Sequence, residues 1–211
     1  GTVTITDSTF SGNSANQGGA IANGAQVTVT GSTFTGNSGS AISNSGTLNV
    51  TNSTFSGNTG GLTAGAIYST GNLSVNFSTI TGNTSTMGYS GGIRINSGTA
   101  TVNNTILANN LYNNTLTNCS GAFSGSNNLS DDGTCGTSSV STNIHLGSLG
   151  NNGGSTQTIP ILEGSDAIDH AVCGAVTTDQ RGISRPQGTA CDIGAFEFVA
   201  RWWVYLPMVI K

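Results

Sequence analysis

Val3 and Ile5 alternate with threonines in TVTIT, residues 2–6, and the same alternation returns at Val27 and Val29, Leu48 and Val50, and Leu73 and Val75. Apolar residues at a period of two predict strands with one face turned inward. Five residues after each pair stands the apolar residue of an S-T-F/I-x-G-N motif: Phe10, Phe34, Phe55 and Ile80. In NTILANN the corresponding residue is read as Ile106. Each motif leads through a Ser/Gly-rich stretch to an isoleucine, at Ile21, Ile42, Ile67 and Ile93.

Successive anchors are 24, 21, 25 and 26 residues apart. Periods of this length belong to solenoids. The L-x-x-L-x-L frame of leucine-rich repeats is absent, and so is the six-residue rhythm of left-handed β-helices. The expected fold is therefore an all-β, right-handed parallel β-helix with about three short strands per coil. One coil cannot bury its apolar face alone, but coils stacked ~4.8 Å apart can. Phe10, Phe34, Phe55, Ile80 and Ile106 are then expected to form a core ladder, and Val3, Val27, Leu48 and Leu73 a second row. Asn13, Asn37, Asn58, Asn83 and Asn109 are expected to form an asparagine ladder, since stacked amides bond to one another and Asn tolerates left-handed turns. Ala100 and Val102 fall one residue too close to Ile106, which predicts a bulge or shortened corner in the fifth coil. The stretch from the motif asparagine to the following isoleucine varies through 8, 5, 9 and 10 residues. Insertions should therefore emerge along one edge, where binding sites often lie.

Composition narrows the function. Only 7% of the 211 residues are charged and the formal net charge is −4, which gives no footprint for nucleic acid. No apolar run reaches the ~18 residues of a membrane span. The chain opens on Gly1 directly in a strand-like run, which predicts a mature or trimmed product. Residues 1–118 hold Asp7 and Arg94 as their only charged side chains. Polysaccharide cleavage needs clustered carboxylates or a base beside a metal, and the coils offer one carboxylate and no histidine. Asp131 and Asp132 read as a solvated loop pair. Asp166, Asp169 and His170 in GSDAIDHA could mimic a metal site, but a short turn is the commoner reading, and no metal or cofactor is expected. Thr-x-Thr rows suggest ice binding only until Asn49, Ser74, Asn76 and Asn103 interrupt them. Tyr68 and Tyr89 near the variable edge are candidate glycan contacts.

The repeat fades after residue 117. Four cysteines allow three pairings; the local one, Cys119–Cys135 and Cys173–Cys191, needs no rearrangement between segments and is expected. Such pairing belongs to an oxidising compartment. Most charge gathers in residues 119–211. Within TDQRGISRPQGTACDIGAFE (178–197), Arg181 and Arg185 are placed to pair with Asp179, Asp192 or Glu197 in a closing cap. The tail FVARWWVYLPMVIK (198–211) is apolar, too short to span a bilayer, and interrupted by Pro207. It either covers its own last coil or leaves its subunit. In the second case Trp202, Trp203, Val204, Tyr205, Leu206 and Val209 would form an assembly strand, with a reach of ~43 Å.

NGGSTQTIPILEGSDAIDHA (152–171) and DQRGISRPQGTACDIGAFE (179–197) resemble the C-terminal signature of bacterial choice-of-anchor Q proteins. The STFSGN…GGAI repeats are similar to those of polymorphic outer-membrane proteins and related parallel β-helix surface proteins. The resemblance implies a secreted or surface-bound β-helix. The organisation expected is regular coils over 1–118, irregular final coils with a disulfide cap over 119–197, and a tail over 198–211. The expected function is that of an extracellular, non-catalytic structural protein assembling head to tail with copies of itself. An adhesin or glycan-binding module, recognising a host surface through the variable edge, is the second reading.

Overall fold

The alternating segments form parallel five-residue strands, Thr2–Thr6, Gln26–Thr30, Thr47–Thr51 and Asn72–Asn76, continued by Ala100–Asn103. The computed structural model describes residues 1–87, 89–136 and 138–200. They make an all-β solenoid of five main coils, 2–23, 26–44, 47–69, 72–95 and 100–120, and no helix occurs among them. Val3 pairs in register with Val27, Val27 with Leu48, Leu48 with Leu73, and Leu73 with Ala100. The motif strands Thr9–Ser11, Thr33–Thr35, Thr54–Ser56, Thr79–Thr81 and Ile106–Ala108 form a second parallel sheet, prolonged by Asn128–Ser130 and Ser138–Val140. The isoleucine strands Ile21–Asn23, Ile42–Asn44, Ile67–Ser69 and Ile93–Ile95 form a third, ending in Cys119–Ser120.

The axial core is filled as the repeat predicts. Phe10, Phe34 and Phe55 stack with centroids 4.9 and 4.6 Å apart and planes within 4°. Phe34, Phe55, Ile42, Ile67, Ile80 and Ile93 are fully buried. Polar ladders run beside the apolar ones. Asn13 Nδ2 donates to Asn37 Oδ1, Asn37 to Asn58, and Asn58 to Asn83 at 2.8–2.9 Å. The same Oδ1 atoms accept the backbone N–H of the preceding coil. Each amide thus satisfies buried backbone groups that the corner would otherwise leave unpaired.

The fifth coil corrects the expected ladders by one residue. Ile80 pairs with Leu107, not Ile106, and Asn83 Nδ2 donates to Asn110 Oδ1, not to Asn109. With Leu107 as anchor, Ala100 and Val102 keep the spacing of the other coils, and the anticipated slip is absent. The reason lies in Asn109. It occupies the place of Gly12, Gly36, Gly57 and Gly82, all with φ of +63 to +67°, and takes φ +55° itself. Asparagine is among the few residues that enter this region readily. Ile106 consequently points out of the coil, in the row of Thr9, Thr33, Thr54 and Thr79, and is nevertheless fully buried.

What buries it is the C-terminal third. Residues 142–198 carry almost no regular strand, and they run as a strap along the outer face of the motif-strand sheet. Thr33 Oγ1 donates to Gln157 O, Thr156 Oγ1 to Gly31 O, Asn52 Nδ2 to Thr178 O and Thr54 Oγ1 to Gln180 Oε1. Farther down, Ala195 N–H donates to Thr79 Oγ1 and Gly194 N–H to Asn104 O. A Cβ on Gly194 would stand only 2.8 Å from Ile106 Cδ1 and 2.9 Å from Thr79 Oγ1, so this contact requires glycine. The segment expected as a closing cap therefore lies lengthwise, from the second coil to the fifth. Both disulfides form as expected, Cys119–Cys135 and Cys173–Cys191. Cys119 takes the inward place of the isoleucine row, in register with Ile93, and with Cys135 belongs to the axial core. The second bridge lies in the apolar cluster beneath the strap.

Candidate functional site

The two ends of the axial core differ. Beyond the fifth coil, Cys119, Cys135 and half-buried Phe123 close it. The asparagine ladder ends there too: Asn110 Nδ2 donates to Asn118 Oδ1, and Asn118 Nδ2 to Asp131 Oδ1. Asp131 also accepts from Asn109 N–H, while Asp132 accepts from Asn118 N–H and Thr134. This pair, read from sequence as solvated, terminates a buried hydrogen-bond column. Partial burial pushes the Asp132 carboxyl up, but these hydrogen bonds outweigh it and hold its pKa below the ordinary value.

At the other end the core is less covered among the described residues. Val3 is 52% exposed, and Ile5, Phe10 and Ile21 are only half-buried. Phe10 stacks on Phe34 with one face, and no described aromatic ring covers the other. The strands Thr2–Thr6, Thr9–Ser11 and Ile21–Asn23 are edge strands of their sheets, each paired on one side. Such edges are templates for further strand pairing.

The strap holds the densest electrostatics. Arg181 Nε and Nη2 both donate to Asp179 Oδ2, at 2.8 and 2.6 Å, and its guanidinium covers the Phe196 ring. Arg185 Nη1 donates to Glu197 Oε2 at 2.7 Å, with both side chains fully buried, and lies over the Phe77 ring. Phe77 adopts φ +45° at a corner where the neighbouring coils place Asp7, Gly31, Asn52 and Asn104. An aromatic residue is strained there, and its burial under Arg185 and the strap compensates. Nothing in the repeat pattern marks that docking point except the mismatch of a phenylalanine in a Gly/Asn row.

Asp192, expected in an ion pair, instead accepts from the backbone N–H groups of Asp169 and Phe198. Burial pushes its pKa up to about 6. The N–H donors and Arg185 pull it down and the Glu197 carboxylate adds to the rise. The folded chain thus takes up a proton here, below pH ~6, that the unfolded chain holds only below its ordinary value of 3.8. The stabilisation is complete below the unfolded value and is lost as pH rises through the folded one. Melting temperature should therefore rise between pH 7 and pH 5, and Asp192→Asn should flatten that rise. Equal slopes in the two proteins would remove Asp192 as its cause.

The side chains that could mimic a metal site are engaged in structural tasks. Ser141 Oγ donates to Asp166 Oδ2, Asp169 Oδ1 accepts from Ala190 N–H, and His170 Nδ1 faces Ile168 O. Among the described residues, no three His, Cys, Asp or Glu side chains gather as metal ligands. No helix among them is long and apolar enough to cross a membrane. On the variable edge, Arg94 lies 5.6 Å from the Tyr68 ring centroid and 4.5 Å from that of Tyr89, which stacks on Tyr112. Sequence reading singled out Tyr68 and Tyr89 but not Arg94 or Tyr112, which the coil register brings beside them. Trp202, Trp203, Val204, Tyr205, Leu206 and Val209 lie outside the described residues. No family model, curated protein or solved structure matches the chain.

Proposed function

We propose that the chain is an extracellular, non-catalytic structural solenoid of the choice-of-anchor Q type that associates end to end with copies of itself. The observation that carries this reading is the first described coil: three parallel strands, each paired on one side only among the described residues, around the exposed Val3 and the half-covered Phe10. The complementary element is the tail from residue 199 onward. Its sequence alternates Trp202, Val204 and Leu206 with Trp203, Tyr205 and Pro207, so one set covers an apolar ladder while Pro207 ends the pairing. Strand addition of this kind is heterologous and does not close, so it builds a filament rather than a dimer. Two disulfides support a location outside the reducing cytosol.

Light scattering and electron microscopy of the whole chain, beside a form lacking residues 199–211, test this. End-to-end assemblies are expected from the whole chain and monomers from the truncated one. Phe10→Asp, which charges the receiving surface, should give the same loss. A whole chain that stays monomeric at high concentration, or assemblies that persist without the tail, would overturn the proposal.

A further inference from the structure

The outward row of the motif-strand sheet runs through Thr33, Thr54, Thr79 and Ile106 and continues to Leu129 and Ser139. The strap lies tight against this row from Thr33 to Ile106, where Gly194 packs on it. At the next two places a cleft of ≈540 Å³ opens between sheet and strap, a volume within the ~300–1,000 Å³ of small-molecule sites. Leu129 and Ile193, both buried, and the exposed Val140 give it an apolar lining. Asn127, Ser139, Ser141, Asp166 and His170 supply polar groups around them.

The bonds that Asp166 and His170 make within the fold leave their other polar atoms unused. Asp166 takes the Ser141 hydroxyl on Oδ2, and no described group reaches Oδ1. His170 Nδ1 stands 2.6 Å from Ile168 O, and since a carbonyl only accepts, Nδ1 carries the proton. In the neutral ring Nε2 is then an acceptor, again without a described partner. The Asn127 amide and the Ser139 hydroxyl are likewise unbonded among the described residues. Charge points the same way. Residues 119–180 carry six carboxylates, Asp131, Asp132, Glu163, Asp166, Asp169 and Asp179, and no Lys or Arg. The next basic residues along the chain, Arg181 and Arg185, are paired with Asp179 and Glu197.

We propose that this cleft binds an amino sugar in its ammonium form, with the charge at Asp166 and His170 Nε2 and the ring laid on Leu129 and Ile193. The strongest polar groups here are acceptors in acid-rich surroundings, which selects a positively charged donor. The amide of Asn127 and the hydroxyl of Ser139 match sugar hydroxyls, for which a simple polyamine has no counterpart. The apolar lining covers the C–H face of the ring.

The test uses the whole chain and three probes in titration calorimetry at pH 7: a β-1,4-linked glucosamine dimer, its N-acetylated neutral counterpart, and putrescine. The free-amine dimer should bind about tenfold more tightly than either, or better, in line with a charge-assisted hydrogen bond, and added salt should weaken it. Asp166→Asn keeps an acceptor for Ser141 and should abolish the preference for the free amine. Asn127→Gly tolerates the left-handed φ of +54° and should weaken both sugars while leaving the preference in place. Unchanged melting temperatures establish that the variants fold. Should Asp166→Asn unfold, His170→Phe, at an exposed position, takes its place and should reduce the preference. Equal affinity for the two sugars, putrescine binding as tightly as the dimer, no binding of the dimer at millimolar concentration, or indifference to Asp166→Asn would each overturn the proposal. The lining described comes from residues 127–193, so failure here leaves the end-to-end reading untouched.

Discussion

Phe34→Asp should abolish cooperative folding of the coils, or lower the melting temperature far more than any other single change in residues 1–118. Phe34 is fully buried between Phe10 and Phe55, 4.9 and 4.6 Å away, and no basic group lies in the axial core. The substitution removes two stacked aromatic contacts, whose loss alone costs about 3–5 kcal/mol for Phe→Ala, and adds an unpaired buried charge costing several more. That sum approaches the whole stability of an ordinary domain. Phe10→Asp, at the half-exposed end of the stack, should cost much less, and Asn49→Asp, on the outward face of the long-strand sheet, almost nothing. Thermal melts by circular dichroism rank the three. If Phe34→Asp melts with Asn49→Asp, the aromatic column is not what holds the coils together.

The repeat made the fold legible because it encodes the stacking directly. In a solenoid a residue's partner is its own counterpart one period away, so Phe10, Phe34 and Phe55, or Asn13, Asn37 and Asn58, could be aligned by counting. Counting failed where one residue type stood in for another. Asn109 replaced the motif glycine, which made Ile106 look like the anchor when Leu107 was. A second column also escaped notice. The serine of S-T-F reads as a surface corner, yet Ser32, Ser53 and Ser78 are fully buried, each hydroxyl accepting the backbone N–H from the coil before. The strap reaches this column at Ser32, whose carbonyl accepts from Gln180 Nε2, and no periodicity records its course. The strap's own pairings were half legible. Arg–carboxylate partners a few residues apart could be named from their chemistry, but Asp192 was turned to backbone N–H groups by a turn with no sequence signature. The Tyr–Arg cluster had the same obstacle: Tyr68, Arg94 and Tyr112 come from three coils joined by insertions of unequal length, so only the register brings them together.

Glu197→Gln should release the strap while leaving the coils folded. Glu197 is fully buried and its carboxylate accepts from Arg185 Nη1, Gln187 N–H and Asp192 N–H. Arg185, equally buried, also donates to Asp192 O and Gly194 O and lies over Phe77. Burial lowers the Arg185 pKa and the facing carboxylates of Glu197, Asp179 and Asp192 raise it; removing the Glu197 charge strips away the largest of those compensations. Breaking a buried pair from one side costs about 3–5 kcal/mol, because the remaining charge stays desolvated. The axial ladders do not depend on this pair: Phe34, Phe55 and Ile80 belong to one apolar cluster, and Phe77, Ile106, Ile193 and Phe196 to another. Hydrogen exchange distinguishes the two. The amides of Gly194 and Ala195, bonded to Asn104 O and Thr79 Oγ1, should lose protection in Glu197→Gln, while those of Val50 and Val75 in the long-strand sheet keep theirs. Replacing both partners, as Arg185→Met with Glu197→Leu, should recover much of the protection, since an apolar pair leaves no stranded charge. Uniform loss of protection across coils and strap would mean that the strap is an integral part of the solenoid's folding unit, and unchanged protection that the ion pair contributes nothing to holding it.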